Sequence, residues 1–217
     1  LGDIYNTVVM KDVISRENIR NVRFLTDLVK FISDNIGKNI SANSISKFMR
    51  SQQITISPTL TSNYLEFLCN AYIINRANRF DIHGKRLFET NEKYYFEDIG
   101  LRNALVGINL RNDIEKLLEN VVYLNLRNNG YNVTVGQLRN GEIDFVAEKE
   151  GRRIYVQVCY LLTTQETIDR EFSNLRMIKD DYPKVVICMD SMAANNDYQG
   201  IKCLHIRDWL MRDNKAI

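Results

Sequence analysis

Apolar positions along the first part of the chain recur at helical spacing. Val22, Leu25, Leu28, Val29, Phe31 and Ile32 form a broad stripe near the 3.6-residue period, which predicts a helix over Glu17–Ile36 stopped by Gly37. A second, short helix is expected over Ser41–Ser51 with Ile45, Phe48 and Met49 inward, and then one short strand over Gln53–Ile56. Ser57-Pro58 reads as a helix start, because Ser caps and Pro lacks only an N–H that the first turn does not use. Leu60, Tyr64, Leu65, Leu68 and Cys69 carry this third helix to about Ala71.

Two strand-like runs come next, Tyr72–Phe80 and Leu87–Phe96, joined by the polar loop Asp81-Ile-His-Gly-Lys-Arg86. Three helices and then a ribbon with a basic tip is the order of a winged helix. The second and third helices would be its helix-turn-helix. Asp98–Val106 reads as a short linking helix and Leu110–Asn129 as a long amphipathic one ended by Gly130. Strands are expected over Tyr131–Gln137, Glu142–Glu148 and Arg153–Leu161, a helix over Thr164–Ile178, strands over Lys184–Met189 and Ile201–Ile206, and a last helix over Ile206–Arg212. That order predicts a mixed sheet with helices packed on it, hence an α/β (α+β) chain with a first domain over 1–109 and a second over 110–217.

The bulk numbers change this picture little. The chain has 217 residues, 45% hydrophobic and 26% charged, enough apolar material for two modest cores. Net charge is +2, and the first 109 residues hold 14 Lys/Arg against 11 Asp/Glu, so the first half is the better candidate for meeting phosphate. Cys69, Cys159, Cys188 and Cys203 form no C-x-x-C pair, which favours free thiols in a reducing, cytoplasmic setting. No apolar run reaches the ~18 residues of a membrane span. The start mixes charge with apolar residues, unlike a signal peptide, and lacks Met, as a piece of a longer protein would. His83 and His205 are isolated and lack ligand spacing, and Trp209 reads as a core anchor for the last helix.

Candidate chemistry lies in the second half. Ile114, Leu117, Leu118 and Val121 form the core stripe of the long helix, with Glu119 at its edge in a row with Val122 and Leu126. An even loop centred on Glu150-Gly151 pairs Glu148 with Arg153, Val146 with Tyr155 and Asp144 with Gln157. Opposed residues share a face, so Asp144 and Gln157 stand side by side with Cys159 next along, while Ile143, Phe145, Ile154, Val156 and Val158 face the core. Two carboxylates and an amide oxygen suit Mg²⁺ or Mn²⁺, ions that serve phosphodiester hydrolysis.

Here the sequence resembles a known family. Glu119 in Leu-Leu-Glu-Asn-Val-Val-Tyr-Leu, Gly141-Glu-Ile-Asp144-Phe-Val-Ala and Tyr155-Val-Gln157-Val-Cys159 look like the PD-(D/E)XK nuclease pattern. With Tyr5-Asn-Thr-Val-Val-Met-Lys-Asp-Val13, Thr90-Asn-Glu-Lys-Tyr-Tyr-Phe96 and Asp98-Ile-Gly-Leu-Arg-Asn-Ala104, nearly the whole chain is similar to the C-terminal region of prokaryotic AAA-type ATPases. The resemblance implies a winged helix followed by a PD-(D/E)XK restriction-endonuclease-like domain, both attached to an N-terminal ATPase module. The chain has no Gly-x-x-x-x-Gly-Lys-Ser/Thr, so ATP would belong to that module alone. The nuclease motif carries over to Glu119, Asp144 and Gln157 as catalytic residues, with Glu119 and Asp144 on the metal. It departs at Cys159, where the family has a lysine that orients the attacking water. Arg153 or Lys149 would be the substitutes.

The reading is therefore a DNA-engaging region whose nuclease-fold domain is weak or inactive, with no membrane partner and with homo-oligomers allowed. Lys47, Arg50, Lys85 and Arg86 would meet duplex phosphates, and Thr61 and Asn63 on the third helix would read base edges. Two rivals stand beside it: an active metal-dependent nuclease with a migrated cation, and a protein-interaction or assembly module without DNA.

Overall fold

The computed structural model describes residues 11, 13–17, 19–88, 91–194 and 196–211. The Tyr5–Val13 run, Thr90 and Arg212 fall wholly or partly outside them. The chain forms a mixed α/β structure of two compact units, residues 1–77 with 90–109, and residues 78–89 with 110–217.

In the first unit, after one helical turn at Ile14–Arg16, come α1 (Val22–Asp34), α2 (Ala42–Ser51) and α3 (Pro58–Asn70). Each start is fixed locally. The Asn21 side chain accepts from the Phe24 N–H, Ser41 and Ser44 form a reciprocal capping box, and Ser57 accepts from the Leu60 N–H with Pro58 first in the helix. Phe24, Leu28, Ile32, Ile45, Met49 and Leu68 are fully buried, so the helices hold together by burial of their apolar faces. Strands β1 (Ile74–Ala77) and β4 (Lys93–Phe96) pair antiparallel, and an isolated bridge joins Ile40 to Glu92. Helix α4 (Ile99–Val106) brings in Arg102, almost fully buried, whose Nε donates to the Ser33 carbonyl at 3.0 Å and Nη1 to the Gly107 carbonyl at 3.1 Å.

Two expectations fail here. Residues 54–57 carry no strand; Gln53 takes a left-handed φ of 62° and the Ile54 N–H returns to the Met49 carbonyl, so the chain closes α2 instead of extending. The long ribbon also breaks at Asn78. Its base is the β1–β4 pair, whereas β2 (Arg79–Asp81) and β3 (Arg86–Leu87) belong to the sheet of the second unit.

Among the described residues that sheet has eight strands in the order β3-β2-β5-β6-β7-β8-β10-β9, with β5 (Asn132–Leu138), β6 (Gly141–Lys149), β7 (Arg152–Val158), β8 (Lys184–Cys188), β9 (Asp197–Tyr198) and β10 (Ile201–His205). β2 runs parallel to β5, β5-β6-β7 is an antiparallel meander, and β7-β8-β10 is parallel. Helix α5 (Leu110–Asn128) packs on β5, β6 and β7, with Tyr123 tilted against Phe145 at 5.8 Å between centroids. Helix α6 (Gln165–Met177) packs on β6, β7 and β8 through Phe172 and Leu175, and the short α7 (Ile206–Leu210) buries Trp209. Among the described residues no helix is long and apolar enough to cross a membrane.

Candidate functional site

The β6–β7 hairpin turns through Glu150 and Gly151, both at positive φ (51° and 76°), the two-residue turn whose twist matches antiparallel strands. It sets the even register: Glu148 faces Arg153, Val146 faces Tyr155 and Phe145 faces Val156. Beyond Phe145 side chains continue the ladder. Gln157 Oε1 accepts from the Asp144 N–H at 3.3 Å, and Asp144 Oδ2 accepts from the Val158 N–H at 2.8 Å. Asp144 and Gln157 are thus brought together, both half-buried.

On its other flank β6 is bulged. Thr134 pairs with Val146 and Gly136 with Ile143, so β6 carries one residue more than β5 across Asp144-Phe145. A bulge re-aims side chains and undoes strict alternation. Ile143, expected on the Phe145 face, therefore packs with Val146, Tyr155 and Cys159, while Phe145 meets Tyr123. Gly136 opposite the bulge has no room for a side chain; a Cβ there would lie 2.9 Å from atoms of both Ile82 and Val146.

The chain of contacts continues onto α6. Gln157 Nε2 donates to Glu171 Oε2 at 3.2 Å, and Arg170 donates to Glu171 Oε1 through Nε (2.9 Å) and Nη2 (2.8 Å). The Glu171 side chain is 10% exposed and that of Arg170 67%. Glu171, absent from the expected trio, is thus the carboxylate joined to Gln157. A signal for it existed: Glu171 lies in the stripe of Ile168, Phe172 and Leu175, where a carboxylate needs a partner to be buried. Glu119 stands half-buried on α5, one turn before Tyr123.

Cys159 holds the position of the expected lysine. It is 2% exposed and packs with Phe172, Leu175 and Cys188, and Cys188 Sγ lies 3.5 Å from Cys203 Sγ. The hydrogen bond with Cys188 and burial both push the Cys159 thiol far above its usual range, so it stays neutral. Neither proposed substitute faces this place. Arg153 lies at the far end of the hairpin, bonded to Glu148 (Nε, 2.6 Å) and the Tyr155 hydroxyl (3.3 Å) between the rings of Phe80 and Tyr182. Burial alone would weaken its charge, but the bonds to Tyr155 and Glu148 outweigh that and hold it protonated. Lys149 Nζ donates to the Asn129 carbonyl at 2.9 Å beside the Tyr131 ring.

Mg²⁺ or Mn²⁺ needs several oxygens free for coordination. Among the described residues no three His, Cys, Asp or Glu side chains stand together as a metal site, and Asp144, Gln157 and Glu171 already hold protein partners. Glu119 and Asp144, the two carboxylates expected on a metal, are both half-buried.

The residues expected to touch nucleic acid divide between the units. Lys47, Arg50 and Asn63 are exposed on α2 and α3. Thr61 is not: it is fully buried, with Oγ1 3.0 Å from Ser46 Oγ and donating to the Ser57 carbonyl at 3.0 Å. It fastens α3 to α2 and has no group left for a base. Lys85 and Arg86 are exposed at the β2–β3 turn in the second unit, where the Asp81 carboxylate accepts from the His83 and Gly84 N–H groups and pairs with Arg86 at 3.8 Å.

Comparison with known proteins finds relatives of greater length. An uncharacterized protein of Haemophilus influenzae is 34% identical over 214 residues, which cover 98% of this chain and 52% of that protein. An uncharacterized protein of Methanocaldococcus jannaschii is 28% identical over 166 residues, 75% of this chain and 36% of that protein. The chain thus spans about half the length of the first relative and about a third of the second. Residues 1–112 match a family model described as a domain of unknown function (DUF8612), and on that match the chain belongs to this family.

Proposed function

We propose that this chain is a nucleic-acid-engaging region of a longer protein, a winged-helix-like unit followed by a PD-(D/E)XK-like unit that binds without cutting. The observation that carries the second half of this reading is Cys159. The hairpin places a strand amide, Gln157, and a strand carboxylate, Asp144, side by side as a nuclease would, yet the next position toward the helix is a buried neutral thiol. Arg153 and Lys149 are bound elsewhere, so neither stands ready to orient water or offset charge on a phosphate. The helix order of the first unit, its Ile40–Glu92 bridge and the β1–β4 pair support the winged-helix half. Lys47 and Arg50 supply exposed charge there, with Asn63 on the outward side of α3. An ATPase module, and ATP with it, would lie in the part of the relatives that this chain does not span.

The test is fluorescence anisotropy of a labelled duplex titrated with the full chain at several salt concentrations. Log affinity should fall linearly with log salt, by about 0.9 for each phosphate neutralised. The Lys47→Ala/Arg50→Ala pair should lower that slope by about 2. A duplex that stays unbound at low ionic strength would instead favour a protein-interaction module.

A further inference from the structure

We infer that Arg170 is a phosphate contact of the second unit, held in place by Glu171 and through it by Gln157 and Asp144. The inference rests on the nucleic-acid reading above and adds a residue and a role to it.

Four residues form one continuous chain of bonds. Asp144 accepts from the Val158 N–H, Gln157 accepts from the Asp144 N–H, Glu171 accepts from the Gln157 amide, and Arg170 donates to Glu171. Burial falls off along it: Glu171 is 10% exposed and Arg170 67%. A buried carboxylate gripping one edge of a guanidinium fixes its orientation, because Nε and Nη2 both point at Glu171 Oε1. A guanidinium has five N–H groups in a rigid fork, so two engaged donors leave three for a further partner on a side chain that is largely exposed. That is the arrangement in which an arginine meets a phosphate with little side-chain entropy left to lose. Through Glu171, Arg170 is joined to Gln157, two residues along the chain from Cys159.

The acidic neighbours decide what Arg170 can do. Glu171 cancels much of its charge, so the pair attracts a phosphate weakly through the field and mainly through direct hydrogen bonds. A purely structural Arg170, present only to neutralise Glu171, predicts unchanged affinity and salt slope when a folded chain loses the guanidinium.

The same duplex and full chain test it. Arg170→Ala should weaken binding at low salt roughly tenfold and reduce the salt slope by about 0.9. Arg170→Gln, which keeps a polar side chain on α6, should do the same and guards against a folding defect. Unchanged affinity and slope in Arg170→Ala and Arg170→Gln overturn the inference. If the Lys47→Ala/Arg50→Ala pair still weakens binding in that case, the broader reading survives. If the wild-type chain binds no duplex at low salt, both fall.

Discussion

The Asp144 carboxylate closes the gap where β6 and β7 stop pairing through their backbones. Its removal leaves the Val158 N–H without an acceptor. Asp144→Ala should therefore lower unfolding free energy by roughly 1–3 kcal/mol, whereas Asp144→Asn, which keeps an oxygen there, should lower it much less. Urea unfolding of the two variants separates this structural role from one that needs the charge. Tyr155 makes a second residue-scale prediction. Burial, reinforced by its bond to Asp180, pushes its hydroxyl up to about 12. A raised acid pKa means the folded state keeps its proton longer than the unfolded state. The associated stability is complete below the ordinary tyrosine value near 10 and is lost as pH rises toward 12. Ultraviolet titration of wild type against Tyr155→Phe should show one phenol missing from the late-ionising group. The nearness of Asp144 and Gln157 is legible from the sequence because an even loop fixes register. Glu171 is not, since a carboxylate inside an apolar stripe shows its partner only once two elements are packed. Thr61 misleads for a similar reason: its partner Ser46 lies on another helix.

A helix end is legible where a cap is plain local chemistry, as at Ser57, whereas α1, expected from Glu17, starts at Val22 behind Asn21. Asn21, Ser41 and Ser57 each take the N–H their positions imply. The stretch just past a helix is harder to read. Gln53-Ile-Thr-Ile56 has the composition of a strand, yet Gln53 enters the left-handed region to end α2. A side chain there costs about 1 kcal/mol relative to glycine. Gln53→Gly should raise the stability of the first unit by up to about that amount, readable as a later urea midpoint. A lower midpoint would mean that the Gln53 side chain holds the turn. The bulge in β6 leaves no mark in the sequence. Strict alternation places Ile143 with Phe145, and only pairing with β5 reveals the extra residue that turns them apart.

At the scale of the whole molecule, the chain does not divide at one point. Residues 78–89 lie in sequence among elements of the first unit and fold with the second. The Ile82 N–H donates to the Gln137 carbonyl and the Val135 N–H to the Asn78 carbonyl, both at ordinary distances. Native-state hydrogen exchange should therefore show Ile82 and Phe88 protected together with β5 and β6, not with β1 and β4. Protection that tracks β1 and β4 would contradict this division. The mixed α/β class is legible from the order of helical and alternating runs, because that order constrains how layers pack. The split ribbon is not, since no local signal at Asn78 tells which sheet the next residues join. On the reading proposed above, the second unit keeps the frame of a phosphodiester-cleaving centre without its chemistry. The most direct test of that reading is incubation of supercoiled plasmid with the full chain and Mn²⁺, read on one gel for retardation and for nicking. The account predicts retarded plasmid that remains supercoiled after the protein is removed. Nicking by wild type that disappears in Asp144→Ala would contradict it.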